Sequence, residues 1–547
     1  MYHQLTSDDY IQQAAERLSS AVQFPTISYD DMRNHTPHSA FALPNKGKDD
    51  DDDLDRRRYA PFARFHEWII KTYPRVHSSL KREVINSYAL VYTWDAAEGA
   101  PASTDDGKKP LLLMAHMDVV PVAGYPDHVE GWTYPPFSGR IASGRVWGRG
   151  SADTKNSLTA ILDAVEALLE AEFKPHRPIV IAFGFDEEIS GLSGAGHVMP
   201  VLAERYGENG FGMVVDEGMG FDPTLSEEAR SKGIEMALVA VAEKGYVDLE
   251  ITLQTPGGHS SLPPDHTGIG LAALFIAEAE KDAPQSFRPV LERDANPFHA
   301  SLSCVAAWDP GAPAELRDAV ANDDTDALTR FVARDTLYQY MIRTSQAIDV
   351  ISGGAKVNAL PERTTFRVNH RVGMHQSTGA VLTRWAQLGT AFANQWQLEF
   401  RLLDEHEALP SLKDDGAHRR GLLTVRPLPG RLEPSPTSPA HTDAKYYQML
   451  AGTIRHVFAR HPHANVTAPA ADEPHVGSLV LVAPTLMPAN TDTRFTWSLT
   501  PNIFRFSGVR PDASANVHTV DEYMDIRNHA EVIRFYYELI RNWSALK

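Results

Sequence analysis

Three short, unbroken apolar runs constrain this chain most: PLLLMAH (110–116), PIVIAFGF (178–185) and GMVVD (212–216). A strand with one wet face alternates apolar and polar residues. A continuous apolar run has to be covered on both faces, as in a parallel sheet sandwiched by helices. Between the first two runs lies SLTAILDAVEALLEAEF, in which Leu158, Ile161, Leu162, Val165, Leu168 and Leu169 recur at helical spacing. Strand, helix, strand in this order implies right-handed crossovers and a largely parallel sheet, so the class is α/β.

At 547 residues the chain is too long for one ordinary core. From Glu243 the pattern changes to alternating strands, YVDLEITLQT and TTFRVNHRV, each followed by a helical stretch, with QLEFRLL closing the set. This predicts a smaller α+β domain of ferredoxin-like type inserted into the first. The expected limits are 1–240 and 411–547 for the larger domain and 241–410 for the insertion, which itself holds a helical insert at about 283–352. The Pro-rich stretch RPLPGRLEPSPTSP reads as the joint back into the first domain, and QQAAERLSSAVQFP reads as an opening helix stopped by Pro25. The run Asp49–Asp53, followed by Arg56, Arg57 and Arg58, is expected to form a solvated loop.

A formal charge of -19 argues against nucleic acid and anionic membrane surfaces as partners. Cys304 is the single cysteine, which excludes an intramolecular disulfide and a zinc-thiolate cluster. Any metal would need histidine and carboxylate ligands. No apolar run approaches the ~18 residues of a membrane span, and the start has no signal-peptide pattern. The expected compartment is cytoplasmic if the chain is complete, and vacuolar or secretory lumen if a targeting segment was removed.

The apolar runs end on charge. His116 and Asp118 follow the first, Glu187 and Glu188 the second, and Asp216 ends the third; Asp153 precedes the long helix. Ligands in open α/β sheets gather at the carboxyl ends of strands, so four segments bring a histidine and several carboxylates to one edge. Like charges a few ångströms apart raise one another's pKa and need a cation. A dinuclear zinc site resolves this with a shared carboxylate and a water. A general base outside the ligand set then accounts for two consecutive glutamates in GFDEEISG.

AHMDVVP, GWTYPPFSGRI, VWGRGSADTK, GFDEEISG, VVDEG, PGGHSS, VNALPE and SANVHTVDE occur in that order. This succession resembles the aminoacylase and carboxypeptidase S group of co-catalytic zinc metallopeptidases, and NTDTRF with PNIFRFSGV resembles its carboxypeptidase S branch. The resemblance implies a parallel-sheet zinc-peptidase catalytic domain, an inserted lid domain and two zinc ions per subunit. Asp153 would bridge the ions, with His116 and Asp216 completing one site and Glu188 and His518 the other. Glu187 would be the general base, and Asp118 would orient His116. The Asp153–Thr154 peptide is cis in relatives. From the lid, His259 would stabilise the oxyanion, and Asn358 and Arg371 would hold the substrate carboxylate, with Arg494 from the catalytic domain. Asp186 reads as a supporting or capping residue. Where relatives commonly carry Gly-Gly before the Thr-Asp pair, this chain reads PANTDTR, which puts the shape of the Arg494 loop in question.

Two substrates stay open: a short peptide cleaved as by a carboxypeptidase, or an N-acyl (fatty-acyl) amino acid, hydrolysed or condensed. A homodimer through the lid domain is also open, with His259 serving its own subunit or a neighbour's. A serine hydrolase is disfavoured because GLSGA (191–195) lacks the final glycine of a nucleophile turn. A metal-binding regulatory protein that has lost catalysis is disfavoured because every expected position is filled.

Overall fold

The computed structural model describes residues 4–32, 50–97, 109–410, 420–459 and 478–546. Its large sheet has eight strands. In spatial order these are Lys81–Ile85, Ala89–Trp94, Ile179–Gly184, Leu111–His116, Met213–Met219, Ile503–Phe506, Ile234–Glu243 and Leu479–Met487. The three apolar runs are central neighbours in it. Leu111–His116 pairs in parallel with both Ile179–Gly184 and Met213–Met219, and His116 lies level with Gly184. Every residue of Leu111–His116 and Ile179–Gly184 is buried, as unbroken apolar strands require. Helix Lys155–Glu170 covers the sheet, and the C-terminal helix Ile526–Ala545 packs on that helix in turn. The far end of the chain thus returns to the first domain.

The smaller sheet has the order Ala347–Gly353, Arg363–Val372, Gly245–Gln254, Leu422–Pro427, Glu399–Leu402. Helices Gly268–Ser286 and Thr378–Trp396 bury Phe275, Trp385 and Phe392 against it. This is the α+β arrangement expected, with two strands more than the alternation suggests: Ala347–Gly353, at the end of the stretch expected to be a helical insert, and Leu422–Pro427. Leu422–Pro427 lies beyond residue 410 yet pairs with Gly245–Gln254. The helical insert is present as Phe298–Trp308, Ala314–Ala321 and Thr325–Ala333. Its core, including Leu302, Leu316 and Leu328, closes on Ala242 and Leu486 of the large sheet.

The acidic run differs from expectation. Asp50–Asp53 open a helix, Asp50–Thr72, while Asp49 lies outside the described residues. No helix among the described residues is long and apolar enough to cross a membrane.

Candidate active site

The carboxyl ends of the central strands converge on one carboxylate. Asp153 Oδ1 lies 3.1 Å from His116 Nε2, and its Oδ2 lies 3.1 Å from His518 Nε2. Glu188 Oε2 is 3.0 Å from the same nitrogen of His518. On the other side, Glu217 Oε1 is 3.4 Å from His116 Nε2, and Glu187 Oε2 stands off at 3.9 Å. Two donor sets therefore share Asp153: His116 with Glu217, and His518 with Glu188.

Each member is held by groups behind it. Asp118, fully buried, accepts from Ser28 Oγ at 2.7 Å and from the Glu187 and Glu188 N–H groups, both at 3.1 Å. The His116 Nδ1 side lies 3.0 Å from the Asp118 carbonyl, which leaves Nε2 for the centre. Asp118 thus orients the two glutamates as well as the histidine. Asp186 accepts from Ser193 N and Gly194 N, each at 2.7 Å, and so closes the turn after the glutamates. Gly184 and Gly191, which bracket GFDEEISG, lie against Asp492, where a Cβ at either position would collide with its carboxylate. The peptide Asp153–Thr154 is cis.

Two acids escaped the sequence reading. Glu217 follows Asp216 in a strand, where consecutive side chains take opposite faces. Only one of the pair can reach the centre, and it is Glu217. Asp216 Oδ1 instead accepts the Glu217 N–H at 2.8 Å, and its Oδ2 is buried without a hydrogen-bond partner. The expectation of Asp216 beside His116 is therefore not met by the geometry. Period-two alternation identifies one acid of VVDEG as inward, but the strand's phase comes only from its neighbours.

The second is Glu522, four residues past His518. Its buried carboxylate accepts from Arg149 Nη1 at 2.6 Å, Gly150 N at 3.0 Å, Ala152 N at 2.8 Å and Asp153 N at 3.2 Å. It grips the loop that presents Asp153.

The electrostatics are those of anions confined together. Burial and the adjacent Glu217 carboxylate push Glu187 well above the ordinary range. Burial and Asp153 bring Glu188 to about 7, and burial and Glu217 bring Asp216 to about 8. Burial opposes the His116 imidazolium, but Glu217, Asp118 and Asp153 hold its pKa well above the usual value. The hydrogen bonds that His518 donates to Asp153 and Glu188 raise its pKa to about 10. Imidazole and carboxylate donors packed this closely fit a divalent cation of zinc type.

The centre opens into a cavity of about 250 Å³. Tyr246, Arg371, Met487, Asn490, Asp492 and Arg494 are among its lining. The structure thus brings Arg371 and Arg494 to the centre. His259 and Asn358 are exposed and do not line it; His259 lies on a two-stranded ribbon, Gly258–His259 with Ala359–Leu360, and Asn358 immediately precedes its second strand.

The model of peptidase family M20/M25/M40 matches residues 112–542. The chain belongs to that family. It is 35% identical over 536 residues to carboxypeptidase S of Saccharomyces cerevisiae, covering 96% of this chain and 83% of that one. It is 30% identical over 546 residues to the N-fatty-acyl-amino acid synthase/hydrolase PM20D1 of Mus musculus, covering 97% and 88%. Human carnosine dipeptidase 1 shares the fold across all of this chain and 98% of its own, with a TM-score of 0.61 at 13% identity. This M20 chain is a hydrolase of metallocarboxypeptidase or amidohydrolase type, with a larger catalytic domain and a smaller lid domain.

Proposed function

We propose that this M20 hydrolase is a dinuclear zinc carboxypeptidase acting on short peptides, cleaving the amide next to a C-terminal residue with a free carboxylate. The observation that carries the reading is Asp153 set between two imidazoles, across one cavity from two guanidiniums. Neither Arg371 nor Arg494 has a carboxylate within ion-pair distance among the described residues; Arg371 bonds to Asn490, and Arg494 to the Gly430 carbonyl at 2.8 Å. Both are available to a substrate carboxylate, which a guanidinium can hold through two parallel bonds.

His116, Asp153 and Glu217 would hold one ion, and Asp153, Glu188 and His518 the other. When bound, the ions supply Lewis acidity to the scissile carbonyl and the attacking water. Glu187, whose Oε2 is 3.9 Å from His116 Nε2, takes a proton from that water on a carboxylate oxygen and passes it to the leaving nitrogen, which departs as a neutral amine.

His259 and Asn358 serve the site of a second copy in this reading. The His259 Nδ1 side is engaged by Ser261 Oγ at 2.7 Å, which leaves Nε2 for an oxyanion. Strand Ala347–Gly353, at the edge of the lid sheet, leaves Val350 and Ile351 more than half exposed, a surface suited to a homodimer.

An N-acyl amino acid amidohydrolase is the second reading, favoured by likeness to the PM20D1 enzyme over nearly the whole chain. The cavity favours the peptide. Tyr246, Met487 and Ala489 are the apolar members of a lining otherwise charged and polar, with little to cover a long acyl chain. A panel of N-blocked dipeptides, acetyl amino acids and fatty-acyl amino acids, assayed with zinc and after chelation, tests this. Zinc-dependent turnover fastest on the dipeptides is expected. Faster turnover of fatty-acyl amino acids would transfer the assignment to the second reading, and full activity after chelation would overturn both.

A further inference from the structure

The side chain of Asn490 crosses between the two domains. Its Oδ1 accepts from Arg371 Nη1 at 2.7 Å, and its Nδ2 donates to the Lys244 carbonyl at 2.6 Å. Arg371 belongs to lid strand Arg363–Val372, whereas Lys244 is the single residue between Ile234–Glu243 of the large sheet and Gly245–Gln254 of the small one. A guanidinium can only donate and a carbonyl can only accept, so an amide matches both partners in just one orientation. No other side chain of this size offers one neutral acceptor and one donor in that pose.

The loop carrying Asn490 is itself anchored. Glu243, fully buried, accepts from Thr491 Oγ1 at 2.7 Å and Thr493 Oγ1 at 3.2 Å, and pairs with Arg505 at 3.0 Å. The Lys244 N–H donates to Met487 O at 3.1 Å. Asn490 is thus a fixed bracket, and Arg371 lies between it and the ring of Tyr246, 5.0 Å from the centroid.

We infer that Asn490 is the positioning residue that aims Arg371 into the cavity while leaving its charge unspent, and so sets the preference for substrates ending in a free carboxylate. The inference rests on the reading of Arg371 as carboxylate anchor. A neutral acceptor orients the guanidinium without pairing its charge. An acid at the same position would fold the substrate's counter-ion into the protein, and would also set an oxygen against the Lys244 carbonyl.

The test compares one N-blocked dipeptide as the free acid and as its C-terminal amide, with the zinc-loaded enzyme and its variants Asn490→Gly, Asn490→Asp and Arg371→Met. In Asn490→Gly the acid-over-amide ratio of kcat/KM is expected to fall about 10- to 100-fold, the worth of one hydrogen bond to a charged group. The loss should lie in KM for the acid, with kcat kept within a few-fold. Asn490→Asp is expected to raise that KM further, and it supplies the test should the glycine variant not fold. If Arg371→Met loses the ratio while both Asn490 variants keep it, or if they slow acid and amide alike, the inference is overturned and Arg371 stands. If the wild-type enzyme shows no preference, or Arg371→Met retains it, the anchor reading fails and the inference with it.

Discussion

Glu522→Gln removes one charge and keeps the shape. In the native protein that carboxylate takes four N–H groups at 2.6 to 3.2 Å, one from a guanidinium whose side chain is 4% exposed. Glutamine retains one acceptor oxygen and turns an NH2 toward groups that only donate. Arg149 is left as a buried cation without its counter-charge, a change that costs about 3–5 kcal/mol. Against a typical domain stability of about 5–15 kcal/mol, that is about a fifth or more. The same change frees the Gly150–Asp153 loop, so zinc affinity should fall about 10- to 100-fold, as for other groups that support a ligand. Urea unfolding of the metal-free protein measures the first effect and zinc titration against a competing chelator the second. A variant within about 1 kcal/mol of wild type, binding zinc equally well, would refute the assignment of Glu522 as the anchor of the Asp153 loop.

Glu217→Ala is expected to lose one of two zinc ions per chain by elemental analysis, whereas Asp216→Asn keeps both; the reverse pattern would return the ligand role to Asp216. Glu187→Ala should retain both ions while turnover drops ~10²–10⁴-fold, and metal loss with residual activity would exchange the roles of Glu187 and Glu188. Metal-free protein should lose stability as pH rises from about 5 to 8. Glu188 and Asp186 are at about 7 and Asp216 at about 8 when folded, so over this window the folded chain holds protons that the unfolded chain has released. Zinc should abolish that slope by displacing the protons, and a flat metal-free melting profile would contradict the pKa ordering. Mixing inactive His259→Ala and Glu187→Gln chains should restore roughly a quarter of wild-type activity, from random dimers with one intact site in each mixed pair. No recovery would place His259 in its own subunit's site.

What could be read from residue order was the frame and most of the chemistry. Unbroken apolar runs of strand length, alternating with a helical stretch, point to buried strands, which sets His116, Glu187 and Glu188 at the edge where those strands end. Consecutive acids there needed a cation, whatever the rest of the fold did. The helix Asp50–Thr72 and the strand Leu422–Pro427 were harder to read, because a charge run and a Pro-flanked segment carry weak local signals that end effects and sheet pairing override. The choice between Asp216 and Glu217 was beyond sequence for a sharper reason. Alternation states that adjacent residues face opposite ways, but the phase is set by pairing with Leu111–His116 and Ile503–Phe506. Glu522 closing on Asp153, and Asn490 reaching Arg371, join residues 369 and 119 positions apart. Hydrogen bonds at such separation leave no periodicity in a sequence; pairing of Tyr523–Asp525 with Arg145–Trp147 brings the first partners within reach, and the meeting of the large and small sheets brings the second.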